Sequence, residues 1–131
     1  MTFQGATWPL RVLGRGQWST LAMMELDLIN AQLAQLMAVR RDPGNFYRNS
    51  YSLASALSAD ERAELADLTR RALAALTAED AAALKDVHLG VLDALVREGR
   101  AACAALGVDY PIDDEGEREI RLLIETAWPQ T

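Results

Sequence analysis

The sequence contains one cysteine, Cys103, and one histidine, His88. A lone cysteine excludes an intramolecular disulfide. A lone histidine leaves too few His and Cys ligands for a zinc site, and the carboxylate-bridged di-iron pattern fails because it needs Glu-x-x-His on two helices. Aromatic residues are scarce, at 6% of the chain, and β-branched residues are few beside Leu and Ala. That bias favours helix over strand. No apolar run approaches the ~20 residues that span a bilayer, and no N-terminal stretch has the charged, apolar and cleavage regions of a signal peptide. The expectation is a cytoplasmic protein with no membrane contact.

Acid is missing from the first 24 residues, where Arg11 and Arg15 are the only charged side chains. The rest of the chain carries 11 basic and 19 acidic side chains, and the whole has a net charge of −6. An acidic balance of this size argues against phosphate-backbone binding, which needs clustered Lys and Arg. Nucleic acid is not an expected partner.

What is present reads as an all-α, compact antiparallel bundle of four main helices plus one short helix, with an irregular N-terminal arm. Residues 1–18 form the arm and 19–131 a single helical domain. Trp8-Pro9 disfavours helix before the proline, and Gly14 and Gly16 punctuate the end of the arm. The first main helix runs from about Thr20 to Arg41 with Ser19 or Thr20 as N-cap, and "DPG" at 42–44 stops it. The aromatic stretch 45–57 reads as a loop entering a short helix that covers one side of the bundle. Ser58 and Glu61 match a capping box opening a helix to about Leu76, with Leu65, Leu68, Ala72 and Leu76 inward. A break at "TAED", 77–80, starts a helix that runs to about Leu106 and ends at Gly107. Its apolar positions surround most of its circumference, so it is the central helix. Asp113 or Asp114 caps a last helix to about Trp128, with Ile120, Leu123, Ile124 and Ala127 on its apolar side.

Chemical candidates are few. His88 shares a face with Leu84, Val91, Leu92 and Leu95, which predicts a mostly buried imidazole. Cys103 lies among alanines and reads as a small core residue rather than an activated thiolate. "LGRGQW" lacks the Gly-Lys-Ser/Thr ending of a phosphate loop. No nucleophile–base set stands out, and no catalytic residue, metal or cofactor is assigned. On the first helix, Glu25 and Gln32 fall on one line inside an apolar stripe, either as a satisfied buried pair or as contacts to a ligand or partner. Phe46, Tyr47 and Tyr51, with His88, mark a possible pocket. The seven acids of 109–125 read as a solvated helix face.

Residues 70–107 resemble the Leu/Ala-rich helical hairpin of flagellar export chaperones. The resemblance implies a helical, partner-binding protein. The break at 77–80 and the aromatic segment depart from that family's long first helix, and the family is not assigned.

The arm is too apolar to hang in water. Trp8 and Trp18 are its expected anchors and Arg11 and Arg15 are expected to face acids, on this chain's own acidic end or, preferably, on a second molecule. The function expected is therefore non-enzymatic binding of a protein partner or of a second copy, as an adaptor, chaperone, inhibitor or assembly subunit. Trp8, Arg11, Arg15, Trp18, Glu25 and Gln32 are the candidate contacts. The alternative is a small-molecule- or cofactor-binding helical domain, possibly an enzyme, with its pocket near Tyr47, Tyr51 and His88.

Overall fold

A computed structural model describes residues 4–44, 53 and 55–129, with side chains from residue 7 onward. Among these residues there is no strand, and the helices pack on one another around one apolar core. They are α1 (Gln4–Gly14), α2 (Trp18–Asp27), a π-helical segment (Leu28–Leu33), α3 (Ala34–Arg41), α4 (Ala59–Thr77), α5 (Ala81–Leu106) and α6 (Asp114–Ala127). The chain runs without a break from α2 through the π segment into α3. Of the aromatic stretch, Leu53 and residues 55–57 are described, and Leu53 and Leu57 are buried. Phe46, Tyr47 and Tyr51 lie outside the described residues.

The residues read as an irregular arm are helical. Pro9 sits inside α1, one turn from its start. There, at the sixth of eleven helical residues, its missing N–H removes the bond that would go to the Gly5 carbonyl, the cost of a proline in mid-helix. Burial offsets that loss, because Pro9 and Leu13, four residues apart, both face inward. Trp8, Leu10 and Val12 pack beside them. The alternation of Leu10 and Val12 around Arg11 suggested a strand, but the i, i+4 pairs decide the outcome.

The helix ends follow from local chemistry. Gly16, at φ +66°, closes α1: its N–H donates to Leu13 O, and the Gln17 N–H donates to Val12 O. This double bond pattern recurs at Gly107 after α5 and at Glu79 after α4. It satisfies carbonyls that the helix itself leaves open. Glu79, at φ +50°, takes the left-handed conformation without being glycine. Helix α2 starts at Trp18, two residues before the expected start, and neither Ser19 nor Thr20 caps it. Gln17 occupies the N-cap without a side-chain bond. The other starts are as expected. Ser58 and Glu61 form both bonds of the capping box, Asp80 Oδ1 accepts from the Ala83 N–H, and Asp113 Oδ1 accepts from the Gly116 N–H.

Helix α5 is central, packing against α3, α4, α6, α1 and the π segment. Gly90 on it is simply tolerated: a methyl group there would meet Leu68 at 3.8 Å, an ordinary contact. Helix α6 presents Ile120, Ile124 and Trp128 to the core, at i, i+4 and i+8. Leu123 and Ala127, expected on that side, are exposed.

Candidate functional site

His88 and Glu25 meet in the core. The imidazole Nδ1 lies 2.9 Å from Glu25 Oε2 and 3.0 Å from Oε1. The two side chains are 1% and 0% exposed. Helix α2 supplies the carboxylate and α5 the imidazole, so the pair ties the first long helix to the central one. Trp128 lies against the imidazole at 5.7 Å between ring centres, and Trp8 approaches edge-on at 6.5 Å. The Trp128 Nε1–H donates to the Ala81 carbonyl at 2.7 Å, which fixes the indole over the ring. A carboxylate beside an imidazole is a common orienting arrangement in catalysis. Here the two tryptophans and the core close around it, and the geometry is that of an internal hydrogen-bonded pair.

Glu25 was the more legible half. Its position within an apolar stripe fitted snorkelling at a helix seam, a satisfied buried pair or a contact to a ligand or partner, and the structure pairs it with His88. Gln32 does not join it, because it lies within the π segment. Leu33 and Ala34 are both buried, so the inward line steps from Ile29 to Ala34, five residues, before resuming at Met37 and Ala38. One extra residue per turn rotates the downstream part of the helix by ~100°, which turns Gln32 toward a surface hollow that it lines with Ala31, Gln35 and Leu36. Asn30 accounts for the widened turn. Its Nδ2 donates to the Leu26 carbonyl at 3.1 Å, the acceptor its own backbone N–H would use in an α-helix.

A second polar cluster, in which buried Glu61 and Glu98 meet exposed arginines, joins α3, α4 and α5. Arg40 bonds Glu61 at 2.9 Å and lies 3.3 Å from Glu98 as a charge contact, and Arg41 reaches Glu61 at 2.6 Å. Arg97 pairs with both Glu98 and Glu64. Burial pushes the Glu61 carboxyl up, but the Ser58 N–H and the Arg41 and Arg40 guanidinium groups outweigh it and hold the group below its ordinary value. Burial and the nearby Glu117 charge push the Tyr110 hydroxyl up to about 12. The cluster was not anticipated from the sequence. Glu98 gave no signal of its own, being one polar residue on a helix with many.

Of the expected partner contacts on the arm, Trp8 and Trp18 pack against this chain's own core. Arg11 and Arg15 are exposed, and neither forms an ion pair among the described residues, so they do not face this chain's own acidic end. The docking of α1 is intrachain, on α2, α5 and α6.

The most developed concave surface lies elsewhere. It is a cavity of about 540 Å³ lined by Asn30, Ala34, Leu53, Leu57 and one stripe of α4. That stripe is Arg62, Leu65, Ala66, Thr69, Arg70 and Leu73, at i, i+3, i+4, i+7, i+8 and i+11. It runs ~16 Å along the helix. Its middle is apolar, with an arginine near each end. Asn30 and Thr69 satisfy one another across its floor at 3.0 Å. No residue of the groove was singled out from the sequence as a binding residue. His88 is not part of its lining.

Among the described residues, no group of three or more His, Cys, Asp and Glu side chains gathers where it could hold a metal ion, and no helix is long and apolar enough to cross a membrane. Comparison with protein-family models, with curated proteins and with solved structures gives no match.

Proposed function

We propose that this is a non-enzymatic helical protein that binds a partner polypeptide, and that the α4 groove is where it does so. The observation that carries this reading is the groove itself: open, apolar along its middle, about three helical turns long and flanked by Arg62 and Arg70. An amphipathic helix laying an apolar face into such a groove is a recurrent mode of recognition. The flanking arginines select a segment whose apolar residues have acids beside them. The sealed His88–Glu25 pair supports the non-enzymatic part of the reading, since neither group reaches the surface.

A labelled helical peptide with a Leu-Leu centre and Glu on either side tests it. Binding by the wild-type protein should weaken at least about tenfold, or about 1.4 kcal/mol, in Ala66→Asp, and by a similar amount in Arg70→Glu. Equal binding by all three proteins would refute the site.

A second reading has the cavity volume in its favour. At about 540 Å³ it falls within the usual range for small-molecule sites, and the arginines would suit an apolar molecule with a carboxylate. Native mass spectrometry of the purified protein would reveal such a molecule as a fixed added mass. The pocket expected near Tyr47, Tyr51 and His88 does not draw on this groove at His88, and its tyrosines lie outside the described residues.

A further inference from the structure

We infer that the groove's partner is a second copy of this chain, which inserts its α6. This rests on the reading of the α4 groove as a polypeptide site and names its occupant.

Helix α6 has an outer face that its own fold does not use. Its core side needs only Ile120, Ile124 and Trp128, yet Leu122 is 59% exposed and Leu123 46% exposed. Glu115 and Glu119 are exposed on the same face, at i and i+4 before the leucines at i+7 and i+8. The other acids of α6 have work: Asp114 and Glu117 bind Arg100, and Glu125 binds Arg121. Glu115 and Glu119 have no ion pair among the described residues. An apolar pair preceded by unpaired acids complements the apolar middle of the groove and one of its two ends, where Arg70 now pairs with Asp67 and Arg62 donates to the Leu57 carbonyl. The lengths agree as well. Residues 115–126 of α6 cover ~16 Å, as does the stripe on α4. Leu122 and Leu123 set against Leu65 and Ala66 would bring Glu119, one turn away, toward an arginine, with Glu115 a further turn beyond it.

The two surfaces are built from different helices, α6 standing on α1 and α5. The contact is therefore heterologous: a copy that gives its α6 keeps an open groove, and assembly continues until a ring closes or a chain grows.

The test uses two variants, each lacking one half of the contact. Leu122→Asp/Leu123→Asp removes the inserting face, and Ala66→Asp/Leu73→Asp removes the groove. All four positions are exposed, and circular dichroism with melting curves checks each fold. Sedimentation equilibrium should show wild-type protein growing in mass with concentration, each variant monomeric alone, and their mixture stopping at twice the monomer mass. A milder variant, Glu115→Lys/Glu119→Lys, should weaken wild-type association at least tenfold and flatten its salt dependence. Wild-type protein that stays monomeric at several hundred micromolar overturns the inference, as does a mixture of the two variants that remains monomeric. If that monomer still binds the Leu-Leu peptide through Ala66, the partner-binding reading stands and only the self-association fails. If it binds no peptide, both fall.

Discussion

At the scale of single residues, the buried charges have the largest expected effects. Glu25 and His88 bond one another in an apolar surrounding, so removing either breaks that buried bond. Breaking a buried pair in this way costs about 3–5 kcal/mol, whereas replacing both members with apolar residues of similar volume is often neutral. Chemical denaturation should therefore find Glu25→Leu and His88→Leu each destabilised by several kcal/mol. The double variant should recover much of that loss. Additive losses would mean that the two groups do not depend on one another. Glu61 sets the acid limit. Its folded value lies below the ordinary 4.5, so its contribution is fully present above that value and is lost as pH falls through the lower folded one. Melting temperature should fall as the solution is acidified below pH 4.5. In Glu61→Gln the melting temperature should be lower at neutral pH and the acid slope shallower. An unchanged slope would assign the acid limit to other carboxylates.

At the scale of elements, the ends of α4, α5 and α6 were legible because single side chains determine them. Ser58, Asp80 and Asp113 each accept a bond from a backbone N–H three residues on, and that chemistry is local. The central place of α5 was legible from apolar positions nearly all round it. Helix α1 was misread because Pro9 and two glycines argue locally against helix, while much of its docking is on helices distant in sequence, with Trp8 against His88. The π segment was missed for a related reason. A one-residue change of register leaves little trace in composition, and only the Asn30 side chain marks it. The partner of Glu25 lies 63 residues away, so the stripe marked Glu25 as a candidate contact but not its partner. The groove was illegible because its residues read as an ordinary helix face until α4 is set against Asn30, Ala34, Leu53 and Leu57. Deleting residues 1–16 tests the docking of α1. It removes Leu13 and the tryptophan lying edge-on to His88, each contributing ~1.5–3 kcal/mol if fully buried. The melting temperature should fall by on the order of 10 °C. An unchanged melting temperature would mean that α1 does not cover the core.

At the scale of the whole molecule, the polar groups divide by role. Those inside, Glu25 with His88 and Glu61 and Glu98 with Arg40, hold helices together. Outside, acids and leucines share the free face of α6, while arginines and an apolar channel share α4. A protein that had only to fold would not need Leu73, Leu122 and Leu123 in water, although scattered exposed leucines alone are ordinary. Their meaning comes from the groove beside one and the unpaired acids beside the others. The central claim is that the α4 groove receives a polypeptide. Its most direct measurement is a two-dimensional amide NMR titration of the labelled protein with the Leu-Leu, Glu-flanked peptide. Shifts concentrated at Asn30, Ala34, Leu65, Ala66, Thr69 and Leu73, saturating with peptide and leaving the surroundings of His88 unmoved, are the expected result. Shifts absent at saturating peptide, or gathered on a surface away from α4, would contradict it.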